Sequence, residues 1–239
     1  IFHRKATWRK KKNKIRQLEK DDGTVTDNIQ EMEALATSFF QNLYTANQGV
    51  QPDIILDKIE PLITEQLNEM LCSEFSEEEI SNALFQIGPL KAPGADGFPA
   101  RFYQRHWGTL KNEVIKAVKE FFSSGVMPEG VNNTVIVLIP KKENPSSLKD
   151  YRPISLCNVV YKIVSKCLVN RLRPLLHDLI APMQSAFIPG RMITDNAQIA
   201  FECIYSIQKS SDAKGKYCAY KLDLAKPMTE LTGITLKGR

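Results

Sequence analysis

The segment from Val135 to Leu156 constrains the fold of this chain most strongly, because it predicts a β-hairpin with a basic loop. Val135 to Ile139 form an unbroken apolar run rich in β-branched residues, which favours a strand with both faces covered. Pro140 ends this strand, and Lys141 and Lys142 follow it directly.

The second half of this segment predicts the turn and the returning strand. Asn144 to Ser147 are residue types that favour turns, and Tyr151-Arg152-Pro153 keeps the chain extended because proline disfavours helical geometry in the residue before it. The hairpin then carries four cations: Lys141, Lys142, Lys149 and Arg152. Either they form an ordinary solvated loop or they clamp a phosphate group. The rest of the chain favours the clamp.

Composition excludes several classes of protein. The 239 residues are 43% hydrophobic and 25% charged, as in a globular chain. The longest apolar runs are far shorter than a membrane span, and the first residues contain no signal-peptide core. Five cysteines form no Cys-x-x-Cys pair and sit among apolar residues, which indicates buried free thiols rather than disulfides or zinc ligands. We expect an intracellular protein, in the nucleus or the cytoplasm.

The net charge of +5 is concentrated in two basic regions. Residues 1–20 contain nine Lys or Arg and one acid, and residues 133–173 contain eight Lys or Arg and two acids. The remainder of the chain is acidic. Basic regions in acidic surroundings indicate contacts with a polyanion. For the N-terminal region, a solvated tail or a localisation signal is an equally good alternative.

Apolar residues at helical spacing predict a helix-rich chain. One helix covers residues 29–43. A second begins at Ser76, which forms a capping box with Glu79, and the acids of its first turn favour the helix macrodipole. A third contains Leu110 to Phe121 and ends at Ser123-Ser124-Gly125. A fourth covers residues 158–173, with Leu168 and Leu172 among its buried residues, and Pro174 should end or kink it.

The segment of residues 90–107 mixes cations with aromatic residues. Two glycines and two prolines in its first half forbid regular structure there. The mixed residues are Lys91, Phe98, Arg101, Phe102, Tyr103, Arg105 and Trp107. This mixture is typical of surfaces on which bases stack while cations follow the nucleic-acid backbone, although a simple connector is the alternative.

Two further segments present candidate site residues. A Pro189-Gly190 turn presents Arg191 ahead of a predicted helix. Lys216 to Leu224 are predicted to form a strand with Asp223 at its end. A carboxylate beyond the end of a buried strand stands where metals and substrates commonly bind.

Four strings of this sequence carry a resemblance to a known family. They are APGADGF (92–98), IPKKENPSSLKDYRPISLCNVVYKIVSKCLVNRLRPLL (139–176), QSAFIPGRMITDN (184–196) and YKLDLAK (220–226). In this order they resemble the reverse transcriptase of a plant LINE-type, non-LTR retrotransposon. The resemblance covers residues 76–226, and residues 1–75 are similar to the linker between such an enzyme's endonuclease and its polymerase. Family loops usually carry proline where Ala95 stands.

The resemblance implies an α+β fold: the fingers and the first palm strand of a right-hand polymerase, preceded by a helical linker. Lys141, Lys142 and Arg152 would be fingers cations near the triphosphate of an incoming dNTP or near the template. Arg191 would belong to the second fingers motif, and Asp223 would be the first metal-binding aspartate. The implied partners are an RNA template, a DNA primer and dNTP, and the implied cofactor is Mg²⁺.

The resemblance also implies that part of the catalytic apparatus is missing from these residues. Such polymerisation uses two divalent ions, which need several carboxylates, yet Glu230 is the sole acid after Asp223. The family's paired aspartates are absent. Met228 stands where the family has an aromatic residue that screens the 2′ position of the nucleotide's sugar. We therefore expect a truncated, catalytically incompetent reverse transcriptase. The alternatives are a non-catalytic nucleic-acid-binding remnant and a pseudogene product with no cellular role.

Residues 227–239 depart from the family in a way that one lost base explains. If a G is restored after the Lys226 codon, the next codons become alanine, a codon that permits tyrosine, and aspartate, as in the family. The codons that follow permit arginine, valine, aspartate and tryptophan in turn. We interpret this segment as a frameshifted tail on a degraded retroelement, with a divergent natural terminus as the alternative.

Overall fold

The computed structural model describes residues 13–45 and 62–209 of the chain. They form helices and two small antiparallel sheets, in agreement with the expected mixture of α and β structure. The elements are β1 (Leu18–Glu19), β2 (Val25–Thr26), α1 (Ile29–Tyr44), α2 (Glu65–Cys72), α3 (Glu77–Gln86), α4 (Ala100–Arg105), α5 (Trp107–Ser124), β3 (Val135–Pro140), β4 (Tyr151–Leu156), α6 (Val159–Leu172), α7 (Leu176–Leu179) and α8 (Ile193–Lys209). No helix in these ranges combines the length and the apolarity that crossing a bilayer requires.

Several predictions concern residues outside the described ranges. Asp223 and its predicted strand, the tail of residues 227–239 and most of the N-terminal basic region lie there. The division of the chain at residue 75 and the assignment of elements to fingers and palm also stay predictions.

The predicted hairpin is present. β3 and β4 pair in antiparallel register, from Val135 opposite Leu156 to Pro140 opposite Tyr151. The loop between them contains a 3-10 turn, Leu148–Asp150. Because side chains alternate along a strand, six residues share one face, here called the Arg152 face. They are Val135, Val137, Ile139, Arg152, Ile154 and Leu156.

The N-terminal part of the chain contacts the other face of this hairpin. Phe40 of α1 lines a groove together with Ile136 and Leu138 of β3. The backbone N–H of Glu19 donates to the carbonyl of Ser146 in the hairpin loop, at 2.8 Å between N and O. The hairpin and the helix that was predicted to precede the polymerase therefore lie side by side.

The Arg152 face is open. Val135 and Ile154 are each 45% exposed, and Val137 is 36% exposed. The expectation that both faces of the first strand are covered is therefore wrong for the part of the chain that the structure describes. The physical reason is that this sheet has two strands, and α1 lies beside its other face.

The main core lies between α3, α5 and α6, supplemented by α4. Ile80, Leu84 and Ile163 are 0% exposed, and burial of each such side chain contributes about 2 kcal/mol. The buried members of this core are Phe75, Ile80, Ala83, Leu84, Ala100, Val114, Ile115, Val118, Val159, Ile163, Val164 and Cys167. The helical periodicity of the sequence located this core correctly, although Leu168 and Leu172, also expected inside, are more than 40% exposed.

The predicted helix starts and stops are confirmed. Ser76 donates its backbone N–H to the Glu79 carboxylate at 2.8 Å, and its Oγ accepts the N–H of Glu79 at 3.2 Å, which completes the capping box. α5 ends at Gly125, whose φ of 71° is a left-handed conformation that favours glycine. α6 gives way to a 3-10 turn, Arg173–Leu175, that contains Pro174.

The expectation of buried thiols holds for one of the four cysteines that the structure describes. Cys167 is 1% exposed, and burial raises the pKa of its thiol to about 11. Cys72 and Cys203 are exposed and Cys157 is half-buried, and all four thiols are free. The expectation is wrong for Cys72 and Cys203, because neither α2 nor α8 has a buried residue.

Arg171, near the end of α6, joins three parts of the fold. Its guanidinium donates to both carboxylate oxygens of Glu79, at 2.7 Å and 3.0 Å, and lies 3.5 Å from the centroid of the Phe75 ring. It also donates to the backbone carbonyls of Leu71, Ser73 and Glu74. The Arg171 side chain is only 10% exposed, so these bonds satisfy a nearly buried charge. The hydrogen bonds from Arg171 to the Glu79 carboxylate, with those from Ser76, lower the pKa of Glu79 to about 2.

Replacing Arg171 with alanine is expected to lower the free energy of unfolding by about 3 kcal/mol, because Glu79 and three carbonyls lose their donor. Urea denaturation followed by circular dichroism measures the change. Arg173→Ala is the matched control, since Arg173 is exposed two positions further on, and its effect is expected to stay within about 0.5 kcal/mol. Equal effects of the two substitutions would contradict the anchoring role of Arg171.

Candidate nucleic-acid interface

The hairpin loop is organised by its own charges. The Asp150 carboxylate lies 2.9 Å from Lys142 Nζ and accepts the backbone N–H groups of Ser146 and Ser147, at 3.0 Å and 3.2 Å. The hydrogen bond from Lys142, followed by the two backbone bonds, lowers the pKa of Asp150 to about 2. The loop therefore contains an ionised acid that holds its turn in place.

Lys141 is also held at the base of this loop. Its Nζ donates to the carbonyl of Lys149 at 2.7 Å, and its backbone N–H donates to the carbonyl of Asp150 at 2.8 Å. Both Lys141 and Lys142 are exposed nevertheless. The structure thus brings two of the predicted site cations together in one ordered loop.

Arg152 lies on the returning strand, opposite Ile139. It is exposed, and its guanidinium has no hydrogen bond or ion pair within residues 13–45 and 62–209. Asp150, the nearest acid along the chain, already binds Lys142. Arg152 and Lys149, whose Nζ likewise has no hydrogen bond or ion pair within these ranges, are therefore the two hairpin cations least committed to the surrounding protein.

Arg191 is occupied by the backbone of its own loop. Its two terminal nitrogens donate to four carbonyls at 2.7 to 3.0 Å, those of His177, Ile180, Ala181 and Gln184. These carbonyls lie at the end of α7 and in the segment after it. Carbonyls at such a position accept no N–H from a following helical turn. Arg191 therefore belongs to a different loop from the hairpin that carries Lys141, Lys142 and Arg152.

The aromatic residues of the 90–107 segment mainly contact one another and the core. Tyr103 and Trp107 are half-buried against the core cluster. The Phe102 ring lies 4.6 Å from that of Phe98 and 5.5 Å from that of Tyr103. Phe98, at 45% exposed, is the most open of the four rings. The expectation of a base-stacking surface made by all four rings is wrong, because two of them lie on the core side of α4 and α5.

Asn158 organises this region, and the sequence reasoning missed it. It precedes α6 but does not cap it. Its Oδ1 instead accepts the backbone N–H of Asp96 at 3.2 Å, and its Nδ2 donates to the carbonyls of Gly130 and Val131 at 3.0 Å and 3.2 Å. Asn158 is only 6% exposed. An asparagine at the first position of the predicted helix was the available signal, but it indicates a cap and not these long-range bonds.

Gly94 has no room for a side chain. A Cβ built on it would collide with Asn158 Oδ1 and with the Asn158 backbone nitrogen. The glycine-rich segment therefore passes directly against the start of α6, and only glycine permits this approach.

The segment after α3 also borders a groove of about 510 Å³, here called the lysine groove. It lies between that segment, the end of β4 and one side of α6. Its lining residues are Ile87, Lys91, Ala92, Ile154, Leu156, Cys157, Tyr161, Lys162, Ser165, Lys166 and Val169. Lys162 Nζ spans the groove edge and donates to the carbonyl of Ala92 at 2.7 Å.

Comparison with known proteins finds a family model that matches part of this chain. Residues 139–227 match the family model of the reverse transcriptase (RNA-dependent DNA polymerase). The match begins at the end of β3 and includes the hairpin loop, β4 and α6. It therefore contains Lys141, Lys142, Arg152 and Arg191.

A transposon protein is similar over a longer stretch. The chain is 32% identical over 209 residues to the Transposon TX1 uncharacterized 149 kDa protein of Xenopus laevis. The alignment covers 86% of this chain and 16% of that relative, so the chain spans about a sixth of the relative's length. Together the two findings show that residues 139–227 are similar to reverse transcriptases and that most of the chain is similar to part of a transposon protein.

Reverse transcriptase domains generally use divalent metal ions, but the described residues do not fit a metal site. No three His, Cys, Asp or Glu side chains in the two described ranges lie close enough together to hold a metal ion. Glu79 and Asp150 are already engaged by Arg171 and Lys142. Asp223, the predicted ligand, lies outside these ranges, so a Mg²⁺ site stays a prediction.

Replacing Gly94 with alanine is expected to destabilise the protein by about 2 kcal/mol or more, because the new methyl group collides with the backbone before α6. Gly108→Ala, in α5, is the matched control: no atom lies within 4 Å of the added Cβ, so this variant should be neutral or slightly stabilised. Urea midpoints of the two variants test the prediction. A Gly94→Ala protein as stable as the Gly108→Ala protein would show that the close approach is absent.

Proposed function

We propose that this chain supplies the fingers and the first palm strand of an RNA-directed DNA polymerase of a non-LTR retrotransposon. In this proposal residues 1–75 form the linker before the polymerase, and residues 76–226 belong to the polymerase itself. The plant LINE-type origin and the frameshifted tail of residues 227–239 belong to the same proposal and rest on the sequence strings alone. A location in the nucleus or the cytoplasm is the corresponding expectation.

The observation that carries the proposal is the exposed guanidinium of Arg152, which has no partner in the described part of the chain and lies within the residues that match the reverse transcriptase family model. An arginine can bind a phosphate through two parallel hydrogen bonds, which makes it the strongest phosphate contact that a side chain offers. Arg152 would contact the RNA template or the triphosphate of a dNTP, while the DNA primer would be held by parts of the enzyme beyond the described residues.

The other site residues have graded roles in this proposal. Lys141 and Lys142 would add positive charge beside Arg152, and each keeps a local partner that fixes its position. Arg191 would act mainly by shaping the second fingers motif, because four carbonyls occupy its terminal nitrogens. Asp223 would be a metal ligand and catalytic residue.

Replacing Arg152 with glutamine is expected to weaken binding of single-stranded RNA about fivefold at 0.1 M salt and to reduce the salt slope of log K by about 0.7, as for one lost phosphate contact. Fluorescence anisotropy with a labelled RNA measures both quantities. Arg173→Gln, which removes the same charge from an exposed site beyond α6, is the control and should bind like the unsubstituted chain. Identical affinity and salt slope for Arg152→Gln would argue against the proposal.

A polypeptide of these 239 residues is expected to give no product in a primer-extension assay with Mg²⁺ or Mn²⁺. The reason is that two divalent ions need several carboxylates, and Glu230 is the sole acidic residue that follows Asp223 in this polypeptide. The assay uses an RNA template, a DNA primer and all four dNTPs, with an intact reverse transcriptase as the positive control. Extension by this polypeptide, abolished by Asp223→Asn, would refute the predicted incompetence.

A further inference from the structure

The lysine groove combines an apolar floor with a positive rim. Ile87, Leu156 and Val169 contribute apolar surface from three different elements, and Tyr161 adds an aromatic ring. Val169 is 49% exposed, so this surface is accessible to solvent. A floor of this kind suits flat, weakly polar groups better than it suits ions.

The rim carries one sign of charge. Three lysines line the groove, and none of its lining residues is acidic. Lys162 is held across the edge by the carbonyl of Ala92, whereas Lys91 and Lys166 form no ion pair within the described part of the chain. The groove therefore attracts anions at its edge and apolar groups at its base.

The groove is continuous with the Arg152 face of the hairpin. Ile154 and Leu156 line the groove, and both belong to that face. Arg152 lies four residues from Leu156, which corresponds to about 13 Å along the strand. The exposed side chain of Val137 lies opposite Ile154 between these two positions, and that of Val135 lies opposite Leu156, so both extend the apolar surface. The lysines of the groove, the exposed apolar side chains and Arg152 thus belong to one continuous surface.

We propose that the lysine groove binds single-stranded nucleic acid, with unpaired bases on its apolar floor and backbone phosphates on Lys91 and Lys166. This inference rests on the proposed function, because it extends the same contact surface from Arg152 to α6. A paired duplex hides its base faces and would leave the floor unused. An apolar peptide would use the floor but not a rim of lysines without acids. Unpaired strands match both features.

The test compares two double variants of the whole chain with equal loss of charge. Lys91→Gln with Lys166→Gln removes the two free rim lysines, while Lys116→Gln with Lys119→Gln removes two exposed lysines from α5. The probe is a fluorescein-labelled single-stranded RNA of about 16 nucleotides, followed by anisotropy over a series of salt concentrations. Loss of two phosphate contacts should weaken binding about 25-fold at 0.1 M salt and reduce the salt slope by about 1.4. The α5 variant should bind like the unsubstituted chain.

A third variant tests the floor independently of the rim. Val169→Glu places an acid on an exposed position of the groove and should weaken single-strand binding, whereas Val169→Leu should preserve it. Circular dichroism confirms that each variant is folded. The unsubstituted chain should bind the single strand more tightly than a duplex of the same length.

The outcomes separate this inference from the proposed function. If the unsubstituted chain binds RNA and Arg152→Gln weakens it, but the Lys91 and Lys166 variant binds normally, the groove inference is overturned and the proposed function stands. If no nucleic acid binds at all, both fail. If the unsubstituted chain binds a single strand and a duplex with equal affinity, and the variants lose equal affinity for both, the assignment of the groove to unpaired strands is overturned.

Discussion

The bidentate pair between Arg171 and Glu79 fixes α6 against the start of α3, and most of the described structure depends on this relation. The guanidinium lies over the Phe75 ring, which in turn stacks on Phe122 of α5 at 4.1 Å between centroids. Charge, hydrogen bonds and apolar packing therefore meet at one point. Because the arginine is nearly buried, no element of this contact can shift without exposing an unpaired donor or acceptor.

The opposite end of α6 positions the candidate interface. There Asn158 binds the backbone of the glycine-rich segment and of the turn before β3, and Gly94 permits the close approach that these bonds need. Because Arg171 and Asn158 hold the two ends of α6, the lysines of this helix lie at a fixed distance from the segment after α3. The groove that we assign to unpaired nucleic acid is thus a consequence of the two anchors.

The hairpin shows why a count of cations does not describe a binding site. Four cations follow one another along its sequence, yet Lys142 pairs with Asp150 and Lys141 binds a carbonyl, which leaves Lys149 and Arg152 as the cations without a side-chain partner in the described part of the chain. The apolar run of β3 likewise predicted a strand correctly. It did not predict the open Arg152 face, because exposure depends on which other elements lie beside the sheet.

The sequence by itself determined the local features: the hairpin, the capping box at Ser76, the end of α5 at Gly125, and the strings after residue 139 that match the reverse transcriptase family model. Each depends on residues close together in the chain, where propensity, periodicity and turn chemistry act directly. Only the tertiary structure decided the roles of Arg171, Asn158 and Arg191. The Glu79 partner of Arg171 and the Asp96 partner of Asn158 lie 92 and 62 residues away, and the four carbonyls that Arg191 binds belong to another segment of its loop. Such contacts follow from how the helices pack, which no local pattern encodes.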